Sequence, residues 1–257
     1  MEIPFFKYQG AGNDFVMLDN RHGAISLSKE EVARMCHRRF GIGADGLILI
    51  ERAGDADFYM RYFNADGGES SFCGNGGRCA VSFAHFLGMI SDLSRFEAAD
   101  GLHEGFIDGE NLIRLKMCDT GLPQKTAQGY FLDTGSPHLI VFCENPDEVD
   151  VFSVGRNLRQ QAGPEGVNVN FVSVFGDNIR IRTYERGVED ETLSCGTGVT
   201  AAVLTAQLVF NLAEKVRAET RGGTLEVRSR NTGHGFESVF LSGPAGQVFA
   251  GSWQFYE

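Results

Sequence analysis

A chain of 257 residues that is 42% hydrophobic and 22% charged has the balance of a soluble, core-forming protein, which excludes collagen-like, disordered and fibrous readings. Its 23 basic and 34 acidic residues leave a net charge of −11, so nucleic acid and the anionic face of a membrane are poor partners and a small-molecule ligand is expected. No run reaches the roughly 18 consecutive apolar residues of a spanning helix, and residues 1–7 lack the basic-then-apolar order of a signal peptide, so a cytoplasmic protein is expected.

In chain order, the capping sequence Ser28-Lys-Glu-Glu31 predicts a helix over 29–39. Short branched and aromatic runs bounded by Gly, Asp or Asn predict strands at 47–50 and 58–63, and apolar periodicity predicts a helix over 75–88. Further strands are expected at 112–117 and 138–143, and a fourth helix is expected to start within 146–154 and run toward Gln161. Strands at 168–175 and 178–184 precede a long apolar helix over 197–213. The turns within 106–112 and 174–179 are short, so much of the sheet should be antiparallel or mixed.

The chain also echoes itself. The stretch Cys73-Gly-Asn-Gly-Gly-Arg-Cys-Ala-Val-Ser-Phe-Ala84 matches Cys195-Gly-Thr-Gly-Val-Thr-Ala-Ala-Val-Leu-Thr-Ala206 at Cys, Gly, Gly, Ala, Val and Ala in register. Each follows an aromatic strand and a polar turn, and each opens an apolar helix. Two copies of one unit, about 120 residues apart, imply two alike domains, here taken as 1–119 plus 250–257 and 120–249. The expected fold class is α/β with α+β character: two pseudo-symmetric domains, each with a mixed sheet, and a ligand in the cleft between them.

Six cysteines with no C-x2-C pair argue against structural zinc or a disulfide scaffold, and no metal is expected. A cysteine at a helix start sits among N–H groups without intrahelical acceptors and in the positive end of the helix dipole, which favours thiolate over thiol. The same N–H groups, at glycines, form a cradle for a carboxylate. Each copy is therefore a proton-transfer group beside an anion site. Inverting a stereocentre by moving a proton requires removal from one face and delivery to the other, and a pseudo-symmetric thiol pair meets that requirement.

These residues carry a resemblance. The motifs Gly10-Ala-Gly-Asn13-Asp-Phe15, Gly41-Ile-Gly-Ala-Asp45, Phe63-Asn64-Ala-Asp-Gly67, Cys73-Gly-Asn75-Gly-Gly-Arg-Cys79, Pro137-His138, Asn168-Val-Asn-Phe171, Tyr184-Glu185-Arg186-Gly187 and Cys195-Gly-Thr197-Gly198 together resemble the diaminopimelate epimerases over nearly the whole chain. The resemblance implies two curved sheets, each wrapped around a central helix, with the last strand returning to the first domain. It implies interconversion of LL- and meso-diaminopimelate without a cofactor, in lysine and peptidoglycan precursor synthesis, by a homodimer. It assigns Cys73 and Cys195 as the acid–base pair, donor and acceptor respectively. Gly74, Asn75, Gly196 and Thr197 would hold the reacting carboxylate, and Asn64, Asn168 and Arg186 the distal end. Asn13 would contact substrate, with Glu185, His138 and Ser136 assisting. Where many members carry Gln and Asn this chain has Gly46 and Ser136, and the interval from Glu185 to Cys195 is one residue longer than common.

Other readings fit the residues less well. The stretch Gly41-Ile-Gly-Ala-Asp-Gly46 formally matches a dinucleotide fingerprint, but it follows a helix and precedes a strand, the reverse of what that fingerprint requires. A redox dithiol would have its partner close in sequence. An amino-acid binding protein would need the cradles but not two thiols. Cofactor-free isomerases of the phenazine-synthesis type share the implied fold without the thiol pair, and a proline racemase is separated by its substrate. Cys36, Cys118 and Cys143 have no echo and are expected to be packing residues; so is Cys79, matched by Ala201. Arg78 is expected to be solvated or to brace its helix.

Overall fold

A computed structural model of the chain describes residues 2–70 and 72–255. The chain forms two compact units, Met1–Leu115 with Gly243–Glu257, and Lys116–Ser242. In chain order the elements of the first are β1 (Glu2–Gly10), β2 (Asn13–Asp19), α1 (Lys29–Cys36), β3 (Gly46–Glu51), β4 (Phe58–Asn64), β5 (Glu69–Ser70), α2 (Gly74–Phe86), β6 (Leu93–Ala98), β7 (Gly101–Gly109) and β8 (Leu112–Lys116). The second holds the short β9 (Thr120–Gly121) and β10 (Gln124–Lys125), then β11 (Tyr130–Asp133), β12 (Pro137–Phe142), α3 (Val151–Gln161), β13 (Asn168–Phe175), β14 (Asn178–Glu185), β15 (Asp190–Thr192), α4 (Gly196–Phe210), β16 (Lys215–Thr220), β17 (Gly223–Asn231) and β18 (Gly235–Pro244). The last strand, β19 (Gly246–Gln254), returns to pair antiparallel with β1 in the first unit.

The internal echo extends well beyond the cysteine helices. In the first unit β1–β2 is antiparallel, β2–β3 parallel, β3–β4 and β4–β5 antiparallel, β4–β6 parallel and β6–β7 antiparallel. The second unit repeats that series ten strands later, from β11–β12 through β16–β17. Each parallel pair requires a crossover, and the four helices supply them: α1 and α3 link the first pair, α2 and α4 the second. The sheets are therefore mixed, as the short turns imply. Both of those turns close hairpins through a residue at positive φ, Asn111 (59°) and Gly176 (55°).

Helix ends depart from expectation for local reasons. The capping box forms as read: Ser28 Oγ accepts from the Glu31 N–H while Glu31 reaches back to the Ser28 N–H. However, α1 stops at Cys36 instead of continuing to 39, because His37 turns extended and the N–H groups of Ile42 and Gly43 both bond to the Met35 carbonyl. Helix α4 stops at Phe210, short of 213, where Asn211 enters the left-handed region (φ 55°). The expected fourth helix is two pieces, a 3₁₀ turn over Pro146–Glu148 and α3, separated by extended Val149 and restarted by Asp150, which accepts from the Ser153 N–H.

In the first unit, α1 covers one face of the sheet through Val32, Met35 and Cys36, packed on Phe5, Val16, Leu18, Leu47 and Leu49. In the second, Val151 of α3 belongs to the corresponding cluster with Leu139, Val169, Phe171 and Tyr184. The cysteine-led helices differ. Helix α4 is buried almost continuously from Gly196 to Gln207, and α2 from Asn75 to Val81. A helix buried on every side has sheet around it rather than beneath it. Each unit thus has a surface helix on the outside of its sheet and a central helix within. Among the described residues no helix is long and apolar enough to cross a membrane.

Ser28→Ala removes the exposed capping box without touching either core. It should lower stability by about 1 kcal/mol, seen as a drop in melting temperature of a few degrees by calorimetry, with the far-ultraviolet spectrum unchanged.

Candidate active site

The two cysteines occupy equivalent positions, each the residue immediately before a central helix. Their backbones are nearly superimposable, φ −120°, ψ 121° at Cys73 and φ −119°, ψ 113° at Cys195, and neither sulfur caps its own helix. The first intrahelical bonds run from the Gly77 N–H to the Cys73 carbonyl (2.7 Å) and from the Val199 N–H to the Cys195 carbonyl (2.9 Å). The N–H groups of the three residues after each cysteine therefore have no intrahelical acceptor and are positioned to receive an anion. A Cβ built on Gly74 would meet nothing within 4 Å, so that cradle stands in open space.

In the first unit the cradle is held from behind by a polar chain. Asn75 Nδ2 donates to Asn13 Oδ1 (2.7 Å), and Asn13 Nδ2 donates to Asp45 Oδ2 (2.8 Å). Asn13 is placed for this by the tight turn Ala11-Gly12, both at positive φ, that opens β2. Asp45 also accepts from Arg38 (2.6 Å), which with the buried Lys7 holds Asp14. Burial pushes the Asp14 carboxyl up, but hydrogen bonds from Arg38 and Lys7 win and bring it down to about 2. On the other side of Asn75, Arg78 Nη2 donates to its Oδ1 (2.7 Å), while Nη1 and Nε reach the carbonyls of Gly74 and Pro244. Arg78 is 0% exposed, so it is not solvated: it braces the helix start from inside. Burial pulls its guanidinium below the usual range, against attraction from Cys79 and Cys73.

The second unit uses different groups. Thr197 Oγ1 lies 3.5 Å from Cys195 Sγ and 2.9 Å from His138 Nε2, and the Thr197 carbonyl accepts from Thr134. His138 Nδ1 faces the amide nitrogen of Asn170 at 3.1 Å. The parallel register sets His138 of β12 beside Asn168 of β13. Asn168 donates to Ser136 Oγ (2.9 Å) and accepts from the Arg186 N–H (2.9 Å), joining three expected residues in one network. Glu185 accepts from the Thr192 hydroxyl (2.8 Å), and burial pushes its carboxyl above the usual range despite that bond.

Thus Asn13, Asn75, Gly74 and Cys73 gather in the first unit, and Ser136, His138, Asn168, Arg186, Thr197, Gly196 and Cys195 in the second. Asn64 ends β4, exposed, opposite Gly46 in register. Three contributors have no role in the reading from sequence: Asp45, which anchors Asn13; Asn170; and Thr183, whose hydroxyl donates to Asn170 Oδ1 (3.0 Å). One of them, Asn170, left a trace. Asn168 and Asn170 are polar residues two apart on an otherwise apolar strand, hence on one face. The remaining cysteines divide. Burial pushes the Cys36 and Cys79 thiols up to about 12, fitting inert packing residues. Cys143 is half-buried, and Cys118 is exposed, so the expectation that Cys118 is a packing residue is corrected.

The chain was compared with known proteins. A family model described as diaminopimelate epimerase matches residues 5–117 and 130–248. The chain is 45% identical over 255 residues to a diaminopimelate epimerase of Chlorobaculum tepidum, covering 95% of this chain and 98% of that protein. It is 43% identical over 252 residues to one of Flavobacterium psychrophilum, covering 96% and 98%. Among solved structures it resembles a phenazine biosynthesis protein of the PhzF family from Bacillus anthracis (TM-score 0.74, 15% identity, 99% of this chain and 100% of that one). It also resembles a hydroxyproline epimerase from Agrobacterium vitis (TM-score 0.72, 14% identity, 98% and 91%). At such identities the structural matches establish a shared fold.

Burial, with the Arg186 charge adding to it, holds His138 at about 3, against 6.5 ordinarily. A base depressed on folding contributes stability that is fully present above about pH 6.5 and is lost as pH falls toward 3, at up to about 1.4 kcal/mol per pH unit. Urea unfolding of the wild type and His138→Gln should therefore show the wild type losing more stability between about pH 7 and pH 5 than the variant does.

Proposed function

Because this chain belongs to the diaminopimelate epimerase family, we propose that it interconverts LL- and meso-diaminopimelate by passing a proton between Cys73 and Cys195. It is an isomerase. The observation that supports the reading most directly is the repetition of one arrangement, a cysteine just ahead of a helix whose first N–H groups have no intrahelical acceptor, once in each unit. An α-hydrogen beside a carboxylate is weakly acidic, and the step is hard because negative charge builds on that carboxylate as the hydrogen leaves. Preorganised N–H groups at a helix start stabilise such charge without having to reorient.

In the proposed route one sulfur, as thiolate, removes the α-hydrogen from one face, and the other, as thiol, delivers a proton to the opposite face. The sulfurs have then exchanged protonation states, and the reverse reaction uses them in exchanged roles. For LL-diaminopimelate, Cys195 would be the acceptor and Cys73 the donor. Gly74 and Asn75, with Gly196 and Thr197, would supply N–H groups to the reacting carboxylate. Arg186, with Asn64 and Asn168, would hold the distal amino-acid end, a guanidinium fork matching a carboxylate in two places. Asn13 would contact substrate, and Glu185, His138 and Ser136 would assist. The route uses no cofactor. The proposal also takes in a supply role for lysine and peptidoglycan precursors, a cytoplasmic location and a homodimer, the last to be read by sedimentation.

Run in D2O, a two-base route places solvent deuterium in the inverted product while substrate recovered early remains protiated. Equal early deuteration of both isomers would point to one shared base. Cys73→Ala and Cys195→Ala should each lower inversion by at least about a hundredfold while leaving the melting temperature near that of the wild type. Near-normal turnover in either variant would remove that cysteine from the mechanism.

A further inference from the structure

The hydrogen-bond network behind Cys195 has a direction, and that direction is fixed by residues with no contact to the sulfur. The Asn170 amide nitrogen faces two backbone carbonyls, Leu139 (3.2 Å) and Asn168 (3.5 Å), which only accept. Its oxygen receives the Thr183 hydroxyl (3.0 Å). Turning the amide over would set oxygen against oxygen at Leu139, so the nitrogen is held where it is. That nitrogen also points at His138 Nδ1 (3.1 Å), which must therefore be the bare, accepting nitrogen of a neutral ring. The ring proton is then on Nε2, and Nε2–H donates to Thr197 Oγ1 (2.9 Å). With a lone pair of its oxygen engaged, the Thr197 hydroxyl keeps its own hydrogen to give, and Cys195 Sγ lies 3.5 Å from that oxygen.

We propose that Asn170 and Thr183 are positioning residues that fix the tautomer of His138 and so aim the Thr197 hydroxyl at Cys195 as a donor, holding Cys195 as the proton-accepting member of the pair. The inference rests on the reading of Cys195 as a proton-transfer group. A hydroxyl donor favours thiolate over thiol, since the bond to the anion is the stronger. Gly198 makes the arrangement possible: a Cβ there would lie 2.5 Å from Asn170 Oδ1 and 3.3 Å from His138 Cε1. Asn170, His138 and Thr183 are all buried, so water does not compete for these bonds. Of the charged groups nearby, Arg186 opposes protonation of His138, and Glu185 is engaged by Thr192. In the first unit Asn75 stands in the place of Thr197, and its amide bonds to Asn13 and accepts from Arg78.

The tautomer can be read without substrate from long-range proton–nitrogen correlation spectra of ¹⁵N-histidine protein, with the His138 ring assigned by its loss in His138→Gln. The expected result is a bare Nδ1 and a protonated Nε2 that persist from about pH 8 down to about pH 5. A wild-type ring protonated at Nδ1 would overturn the proposal with no variant needed. Asn170→Asp offers Nδ1 an acceptor in place of a donor and should move the ring proton to Nδ1, leaving Nε2 to take the Thr197 hydroxyl from the sulfur. In that variant, and in Thr197→Val, the acidic limb of kcat/KM for LL-diaminopimelate should move up by about one pH unit, whereas Thr197→Ser should restore the wild-type limb. Identical limbs in Thr197→Val and Thr197→Ser would equally sink it. A wild type with the expected tautomer but no epimerase activity would instead count against the proposed function.

Discussion

The arrangement in both units depends on a helix whose first turn has, at its buried glycines, no room for a side chain. A Cβ at Gly77 would stand 2.5 Å from the ring of Phe72, one at Gly76 3.0 Å from Ile48, and one at Gly198 2.5 Å from the amide oxygen of Asn170. Only glycine lets the first turn settle that deeply against the sheet. Each glycine weakens a helix by roughly 0.5 to 1 kcal/mol, a cost offset by the turns that follow, which are buried nearly all round. The result is a set of N–H groups without intrahelical acceptors at the positive end of a buried helix, where an anion is favoured.

From that common start the units diverge in what they place behind the cysteine. The first has a buried cation, Arg78, hydrogen-bonded to Asn75 and to carbonyls rather than to a carboxylate in any bond among the described residues. The second has Thr200 at the corresponding helix position, its hydroxyl turned back to the Gly196 carbonyl (2.9 Å), and relies on the neutral relay through His138. Even the matched glycines face different surroundings, Ile48, Met60 and Phe15 at Gly76 but Asn170 and His138 at Gly198. One scaffold thus supports two sulfurs in different electrostatic settings. In the proposed route each sulfur alternates between thiol and thiolate, so such a difference biases which one starts as the base without confining the reaction to one direction.

Much of this was legible in the sequence because it is local. Strands 168–175 and 178–184 are found at Asn168–Phe175 and Asn178–Glu185, and the capping box at Ser28 is a pattern of four residues. The echo between Cys73 and Cys195 exposed the repeat because glycine and cysteine at a helix start leave little freedom for substitution. Strands such as β1, β7 and β17 were not read. β19, which the resemblance supplied as the returning last strand, has a side-chain pattern set by exposure rather than alternation, so its own residues did not announce it and its pairing with β1 defines it. Asp45 escaped for a related reason, and Arg78 was left open between solvent and brace. A charged residue reads as surface until the fold shows what surrounds it, and both hold asparagines, 32 and 3 positions away.

The two departures from the family pattern differ in kind. Ser136 is shorter than the Asn it replaces, yet its Oγ accepts from Asn168 and keeps that side chain tied to the turn before β12, so the anchoring function survives the substitution. Gly46 has no such substitute on its own strand. A Cβ there would fall 2.6 Å from the ring of Tyr62 and 2.5 Å from the Phe63 carbonyl, so the aromatic ring of β4 occupies the space into which a longer side chain would project. That ring packs edge-on against Phe15, beside the turn that carries Asn13. Gly46 and Tyr62 therefore have to be considered as one exchange. A longer side chain at 46 alone would displace the ring from Phe15, whereas Asn13 and Asn75 are already locked to each other.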